Sequence, residues 1–235
     1  RRIRRCVGCR CGARGCLASA LMDLKESMLL GATASRHWYY RSKAAAMVRC
    51  LEGTAAKRVL DVGAGSGFFA RHLLEHAPVS SAVCVDTGYV ADRDESCFGK
   101  PLSFRRSMAT DDADLVLLMD VLEHVDDDAG LLAEYASKVA PAAAFLITVP
   151  AHQWLWSEHD VFLEHRRRYG IHQLERSVAS AGLQVVACSY YFTLVLPIAA
   201  ATRLAARLWT PGGSEPKSQL RTHGRFVNRL LFELC

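Results

Sequence analysis

The sequence lacks a long apolar run, although half of its 235 residues are apolar. No window of about 20 residues, the length that crosses a bilayer, is uniformly apolar. The longest uncharged stretch, between Arg176 and Arg203, is interrupted by Gly182, Gln184 and Pro197, so we predict no membrane span. No apolar segment of the signal-peptide type follows the basic N-terminus, so we predict no secretory signal. The length favours one globular domain with extensions.

Acidic residues are missing from the first 22 positions, which hold six arginines. This segment alone contributes +6 to a net charge of +5, so the rest of the chain sums to −1 and we predict no nucleic-acid partner. Four of the nine cysteines lie here, but they form a single C-x-x-C pair, whereas a structural zinc site has two. We expect residues 1–22 to be a disordered tail, with Met22 as a plausible start. The five scattered cysteines elsewhere favour reduced thiols and a cytoplasmic setting.

The segment Val59–Leu73 joins an apolar run that ends in Asp61, a turn with Gly63, Gly65 and Gly67, and a helical pattern. Such a unit directs backbone N–H groups and the positive end of a helix dipole at a ligand above the strand. The spacing G-x-G-x-G differs from the G-x-G-x-x-G of dinucleotide-binding turns. A carboxylate beside the turn would repel a pyrophosphate but suits a ligand with an ammonium group.

This combination resembles the first motif of the class I S-adenosylmethionine (SAM) methyltransferases, whose ligand carries an α-amino group, a sulfonium and no phosphate. The resemblance implies that SAM is the cofactor. On spacing alone, a structural tight turn explains the glycines equally well, and a nicotinamide-dependent oxidoreductase stays open as a further alternative.

Apolar runs alternate with helical patterns along the chain, which predicts an α/β fold with a doubly wound, mainly parallel sheet covered on both faces. In such sheets ligands bind at the carboxyl ends of the strands. We predict a loop over Val90–Lys100 and no strand after Phe192, so the seventh strand of the family fold is either absent or lost with a truncated end. The predicted helices cover about 36–51, 67–76, 129–139 and 171–181, and the predicted strands end at 61, 86, 108, 120, 149 and 192.

Asp86 ends the second predicted strand, where a carboxylate can accept hydrogen bonds from two ribose hydroxyls of SAM or of a dinucleotide. The aromatic and basic segment His37–Lys43 is either a helix packed beside the sheet or a flap over the cofactor pocket. The predicted cofactor-binding residues are Asp61, Gly63, Ala64, Gly65, Gly67, Asp86, Ser107, Met108, Asp120, Leu122 and Glu123.

The segment Asp120–Val125 reads Asp-Val-Leu-Glu-His-Val and resembles the motif after the fourth strand of many small-molecule and lipid-type SAM methyltransferases. The resemblance implies that Asp120 lies beneath the methyl donor and that Leu122 packs on the adenosine. His124 could take a proton from a substrate hydroxyl, and His165 is the second catalytic candidate. The alternative is that this segment only fixes the loop.

A divalent metal is a further alternative for this segment. Ubiquinone-pathway O-methyltransferases and small-RNA 3′-end methyltransferases, which have a similar motif, can hold such an ion with carboxylates and histidines. Here the ligands would come from Asp120, Glu123 and His124, with His159 and His165 later in the chain. We predict no metal, because aspartate stands where those families tend to have glutamate.

Residues 150–169 resemble the Pro-Ala…Leu-Trp-Ser…Asp…His-x-Arg-Arg-Tyr pattern of a bacterial branch often tied to envelope glycan or isoprenoid-linked substrates. Trp154 would then wall the acceptor site, and Arg167 and Tyr169 would contact the acceptor. The alternative is a basic run on the surface. Because Pro-Cys and Asp/Asn-Pro-Pro-Tyr are both missing, we predict O-methylation of a small-molecule or lipid-linked acceptor rather than methylation of a nucleic-acid base.

The C-terminal residues form two amphipathic patterns, Leu196–Trp209 and Gln219–Leu234. They predict a helical extension over residues 194–235, following a SAM-binding domain over 23–193. The extension either packs against the domain or a second copy of the chain, or lies on the anionic inner surface of the cell membrane. A rival to the enzyme is a non-catalytic protein of SAM-binding fold that docks partners through these helices.

Overall fold

A computed structural model describes residues 36–209 and 224–235. The predicted N-terminal tail and the start of the second amphipathic pattern lie outside these residues. The helices are α1 (Trp38–Cys50), α2 (Phe68–His76), α3 (Asp128–Lys138), α4 (Glu158–Phe162), α5 (Ile171–Ser180), α6 (Leu196–Trp209) and α7 (Arg225–Glu233). The strands are β1 (Arg58–Val62), β2 (Ser81–Val85), β3 (Arg93–Cys97), β4 (Lys100–Arg105), β5 (Leu115–Met119) and β6 (Ala144–Thr148).

The strands form one six-stranded sheet in the order β3-β4-β2-β1-β5-β6. β1 lies at the centre and pairs in parallel with β2 and β5. Only β3 runs antiparallel to its neighbour. All five residues of β5 are buried, as expected for a parallel strand whose two faces are both covered. The predicted doubly wound, mainly parallel α/β sheet is therefore confirmed.

Two apolar layers cover the faces of the sheet. Adjacent residues of β1 point to opposite faces, so Val59 joins the layer under α1 and α2, and Leu60 joins the layer under α3 and α5. Both side chains are about 1% exposed or less. These two layers fix the carboxyl ends of the strands at one edge of the sheet, where the loops that carry the candidate site begin.

The predicted loop over Val90–Lys100 is wrong, because residues 93–97 form the edge strand β3. Its first residues are charged and exposed, since an edge strand pairs on one side only and has no need of apolar side chains. A tight turn joins it to β4, with φ of 53° at Phe98 and 73° at Gly99. Left-handed dihedrals at both central residues suit a two-residue hairpin. β4 accordingly begins before the predicted strand of residues 103–108.

The predicted strand over Leu183–Phe192 is also wrong, because these residues form no strand. Within the described residues the sheet ends at β6, and residues 183–192 do not pair with its free edge. Helix α6 begins soon afterwards and agrees with the first amphipathic pattern. None of the described helices combines the length and hydropathy needed to cross a membrane.

Candidate active site

The glycine turn between β1 and α2 has a backbone shape that only glycine adopts easily. Gly63, Gly65 and Gly67 have φ of 67°, 50° and 73°. A Cβ atom on Gly63 would lie 2.8 Å from Cγ2 of Val121, and one on Gly67 would lie 3.0 Å from Cε1 of Phe104. The turn is therefore held close to the segment after β5 on one side and to β4 on the other.

Asp86 completes the rim of this turn. It follows β2 and is 4% exposed. Its Oδ2 accepts a hydrogen bond from the Gly65 N–H at 2.9 Å, and its Oδ1 accepts one from the Gly88 N–H at 2.9 Å. Each carboxylate oxygen has a second lone pair, so hydroxyl groups of a ligand can still donate to Asp86. The turn and the second strand thus present one continuous polar edge.

The other predicted cofactor residues follow the same edge of the sheet. Asp61 is buried within β1 and Ala64 in the turn. Beyond β4, Ser107 is exposed, whereas Met108 is partly buried against the layer that contains the fully buried Leu122. The topology therefore brings the predicted cofactor residues of β1, β2, β4 and β5 to one edge.

Asp120 follows β5 and has a left-handed backbone, with φ of 62°. Its Oδ1 accepts a hydrogen bond from Thr148 Oγ1 at 3.0 Å. Its Oδ2 accepts a hydrogen bond from the Tyr39 hydroxyl at 3.1 Å and forms an ion pair with the ammonium of Lys43. This carboxylate is therefore held by α1 from one side and by β6 from the other.

Lys43 is a site residue that the sequence analysis missed. It is 2% exposed on α1, within the aromatic and basic segment that we interpreted as a packing helix or a flap. Tyr39 and Lys43 are four residues apart and so share one helix face, which is the only local signal that could have linked them. The contact with Asp120 itself joins residues 77 positions apart.

The Lys43–Asp120 pair is charged despite its burial. Burial alone would raise the pKa of Asp120, but Lys43 and the hydroxyls of Thr148 and Tyr39 hold it below its usual range. Burial likewise opposes the charge of Lys43, but Asp120, together with Tyr191 and Glu123, raises the pKa of the ammonium above its usual value. Each charge depends on the other.

A 3₁₀ turn over Leu122–His124 brings a glutamate and a histidine into the interior. Glu123 is fully buried, and neither of its carboxylate oxygens has a hydrogen-bond partner among the described residues. Burial and the nearby Asp120 raise its pKa well above the usual value. His124 is 7% exposed, and burial together with His165 lowers its pKa to about 3. Glu123 therefore favours the protonated form and His124 the neutral form.

His165 faces these two residues from the loop after α4. Its Nε2 lies 3.9 Å from Glu123 Oε1, and its ring centroid lies 4.8 Å from that of His124. Its Nδ1 is 2.9 Å from Oδ1 of the fully buried Asp160, which also accepts hydrogen bonds from Arg168. Although burial opposes the charge of Asp160, these two partners hold its pKa well below the usual range. A carboxylate at Nδ1 fixes the orientation of the imidazole and favours a proton there.

The basic run after His165 lies only partly on the surface, since Arg166 is exposed whereas Arg168 is buried. Arg167 donates to the backbone oxygens of Val125 and Asp126 at 2.8 and 2.9 Å. Tyr169 is 1% exposed, with its hydroxyl 2.8 Å from Oδ2 of Asp128. Both side chains tie down the loop that carries Glu123 and His124, and their contact with an acceptor stays a prediction.

Trp154 lies apart from this cluster. It is 55% exposed and belongs to a second 3₁₀ turn, Gln153–Leu155. Together with α6 this turn borders a mainly apolar groove of about 290 Å³, lined by Trp154, Leu155, Ala200, Ala201, Arg203 and Leu204.

A glycine turn with an acidic residue after the next strand, at the carboxyl edge of a doubly wound sheet, is the arrangement expected for a bound nucleoside. A family model described as a methyltransferase domain matches residues 35–188. The chain therefore belongs to this family and is a SAM-dependent methyltransferase. A search of curated proteins gave no match.

Two solved structures show the same fold. The methyltransferase in complex with the Trm112 methyltransferase activator of Haloferax volcanii aligns with a TM-score of 0.53 at 20% identity, over 72% of this chain and 77% of that one. A SAM-dependent methyltransferase of Leishmania major aligns with a TM-score of 0.53 at 14% identity, over 77% of this chain and 78% of that one.

Proposed function

We propose that this chain binds SAM between the glycine turn and Asp120, and that it methylates an oxygen of a small-molecule or lipid-linked acceptor. When bound, SAM supplies an electrophilic methyl group on a sulfonium. The polar groups of the site suit SAM, because the carboxylate of Asp61 can accept hydrogen bonds from its ammonium group and that of Asp86 from its ribose hydroxyls. The left-handed glycines bring the backbone close enough to a ligand to replace side-chain contacts.

The observation that carries the proposal is a cluster of Glu123 and His124, which come soon after Asp120, with His165 and Asp160 from the loop region around α4. Glu123, His124 and Asp160 are buried, and the side chain of His165 is 7% exposed. Transfer to an oxygen needs a base for the hydroxyl proton and little else beyond positioning. His165 is the better base of the two histidines, because Asp160 stabilises an imidazolium at Nδ1 when Nε2 takes the proton. His124, whose pKa is about 3, stays neutral and packs against the ring of His165.

Recognition of the acceptor is supported by the groove between Trp154 and α6. Its lining is mainly apolar, which suits an acceptor with an apolar chain, and its one arginine, Arg203, donates to the backbone oxygen of Leu155. Because Arg167 and Tyr169 already hold the Asp120–Asp128 loop, their contribution to the acceptor is to keep that loop in place.

A divalent metal is a second candidate for this site, favoured by the buried carboxylate of Glu123 and by two nearby histidines. Its two carboxylate oxygens have no hydrogen-bond partner among the described residues, and ligand atoms of Glu123, His124 and His165 lie within 4.8 Å of one another. These three would hold the ion, which would acidify a substrate hydroxyl by Lewis-acid action. Asp120 does not belong to this group, because its carboxylate forms an ion pair with Lys43.

Peripheral membrane contact is a proposal about partners. Phe226 and Leu230 of α7 are 81% and 50% exposed beside Arg229, which has an exposed side chain. An apolar ridge with a basic flank suits an anionic membrane surface. We expect the chain to float with anionic vesicles and a form truncated after Thr193 not to float. Equal flotation of both forms would remove this proposal.

Cofactor binding is tested by titration calorimetry with SAM and with S-adenosylhomocysteine. We expect the wild type to bind both and Asp86→Ala to bind at least about 10-fold more weakly, since it loses two hydrogen bonds to a charged group. Asp112→Ala is the matched control, because Asp112 is an exposed aspartate that precedes β5 at the opposite edge of the sheet. Absence of heat with the wild type, or equal affinities of the two variants, would contradict the proposed site.

Catalysis is tested by SAM consumption over a set of quinols, polyprenyl phosphosugars and free sugars. With any acceptor found, His165→Gln should lower kcat by about 100-fold or more and leave the affinity for S-adenosylhomocysteine unchanged. Activity that survives excess EDTA removes the metal, whereas loss of activity that Mg²⁺ or Mn²⁺ restores supports it. Full activity of His165→Gln would show that another group is the base.

A further inference from the structure

Helix α7 is joined to the start of α1 by one asparagine. Oδ1 of Asn228 accepts a hydrogen bond from the backbone N–H of Trp38 at 2.7 Å, and its Nδ2 donates to the backbone oxygen of Arg36 at 2.6 Å. The first N–H groups of a helix have no partner within the helix. His37 satisfies one of them, the N–H of Tyr39, through its ring nitrogen at 3.3 Å. Asn228 satisfies another from 190 positions along the chain.

A second contact lies one turn further along both helices. The guanidinium of Arg41 lies 4.1 Å from the ring centroid of Phe232. Asn228 and Phe232 are four residues apart on α7, and Trp38 and Arg41 are three apart on α1, so each helix presents one face to the other. Two contacts spaced along the axis therefore add to the buried side chains of α1 in setting its position and its rotation.

That position matters for the site because Tyr39 and Lys43 of α1 both reach Asp120. A shift of α1 by one residue would move Lys43 by about 1.5 Å along the axis and turn it by about 100°. Such a shift breaks the ion pair, and the charge of Asp120 then lacks its main partner. The structure therefore links α7 to Asp120 through a single rigid helix.

We propose that Asn228 is a positioning residue, which holds α1 in the register that places Lys43 and Tyr39 on Asp120. The C-terminal helix is in this respect part of the methyltransferase site and not an appended extension. The proposal has two consequences. The first, that α1 is ordered by α7, is independent of any ligand. The second, that cofactor affinity depends on α7, rests on the proposed function.

The test compares four variants of the full chain by hydrogen exchange of peptides from α1 and by titration with S-adenosylhomocysteine. Asn228→Leu removes both hydrogen bonds, and we expect about 10-fold faster exchange in α1 and about 10-fold weaker binding. Asn228→Asp keeps the acceptor for Trp38 and should recover much of both. Phe232→Ala should resemble Asn228→Leu in milder form, and Glu233→Gln, a change at a side chain that is 64% exposed on the same helix, should match the wild type.

The two hypotheses fail in different ways. Unchanged α1 exchange in both Asn228→Leu and Phe232→Ala would overturn the proposal. An equal rise of exchange in β1 and β5 would also overturn it, because it indicates a general loss of stability. If Asn228→Leu does not fold, Asn228→Asp and Phe232→Ala decide the question. Wild-type protein that binds no S-adenosylhomocysteine would contradict the proposed function and leave the exchange result standing.

Discussion

Replacing Lys43 by methionine tests whether the ion pair with Asp120 holds α1 on the sheet. Lys43 is 2% exposed and the Asp120 side chain 26% exposed. Removing one partner of a buried pair costs about 3–5 kcal/mol, because the other charge is left without compensation. Asp120 keeps its bonds to Thr148 and Tyr39 and some contact with water, so we expect the lower end, about 3 kcal/mol.

The pH dependence of this cost has a definite sign. In the wild type the pKa of Asp120 lies below its unfolded value, so its contribution to stability is present above the unfolded carboxyl pKa and is lost as the pH falls through the folded pKa. Without Lys43, the largest cause that lowers the pKa of Asp120 is gone, so we expect burial to raise this pKa and the folded state to favour the protonated carboxyl more than in the wild type. The variant therefore loses more stability relative to the wild type at pH 8 than at pH 5.

Urea unfolding at both pH values measures this difference. Lys138→Met is the matched control, since Lys138 forms an i,i+4 pair with Glu134 on the surface and such pairs contribute at most about 0.5 kcal/mol. The double variant Lys43→Met/Asp120→Asn, which leaves no buried charge, should recover about half of the loss. A cost for Lys43→Met no larger than for Lys138→Met, or one independent of pH, would refute the role of the pair.

Three further predictions concern the glycine turn and the histidine cluster. Gly63→Ala and Gly99→Ala both place a Cβ at left-handed φ, but at Gly99 this atom meets nothing within 4 Å. We expect the free energy of unfolding, measured from urea midpoints, to fall by about 1 kcal/mol for Gly99→Ala and by about 3 kcal/mol for Gly63→Ala. Equal costs would argue against close packing of the turn. Asp160→Asn removes a fully buried charge paired with Arg168 and should cost about 3 kcal/mol at pH 8. Because the low pKa of Asp160 stabilises the fold above the usual carboxyl pKa, this cost should shrink in acid, which circular dichroism during acid titration can follow; a constant cost would contradict it. His124 has a folded pKa of about 3, below its unfolded value, so its contribution to stability is present above pH 6.5 and is lost as the pH falls below it. His124→Gln should therefore reduce the loss of unfolding free energy between pH 7 and pH 5. An unchanged pH dependence of stability would count against a buried neutral imidazole.

The fold class and the cofactor family could be predicted because their signals lie in contiguous segments. The turn with Gly63, Gly65 and Gly67 is a local pattern, and strands buried on both faces show as continuous apolar runs. The edge strand β3 carries no such run, so a polar segment was predicted as a loop. Conversely, the apolar residues 183–192 suggested a strand, but a strand also needs a neighbour, which the sequence does not reveal.

The site was only partly predictable, for a related reason. Asp120, Glu123 and His124 belong to one short motif, whereas Lys43 and Asn228 act through contacts with residues 77 and 190 positions away. Such contacts depend on how helices pack, and no local spacing encodes them. The catalytic and acceptor roles of His165, Arg167, Tyr169 and Trp154 stay predictions until an acceptor is found.

The backbone of Asp120 constrains which mutations this position can accept over evolution. A single nucleotide change converts an aspartate codon to one for Asn, Gly, Ala, Val, Glu, His or Tyr. At a φ of 62° only the first two are easily tolerated, and the β-branched valine least of all. Asparagine, like glycine, would remove the negative charge opposite Lys43. The substitutions that the backbone at Asp120 tolerates are therefore ones that leave Lys43 without its ion-pair partner.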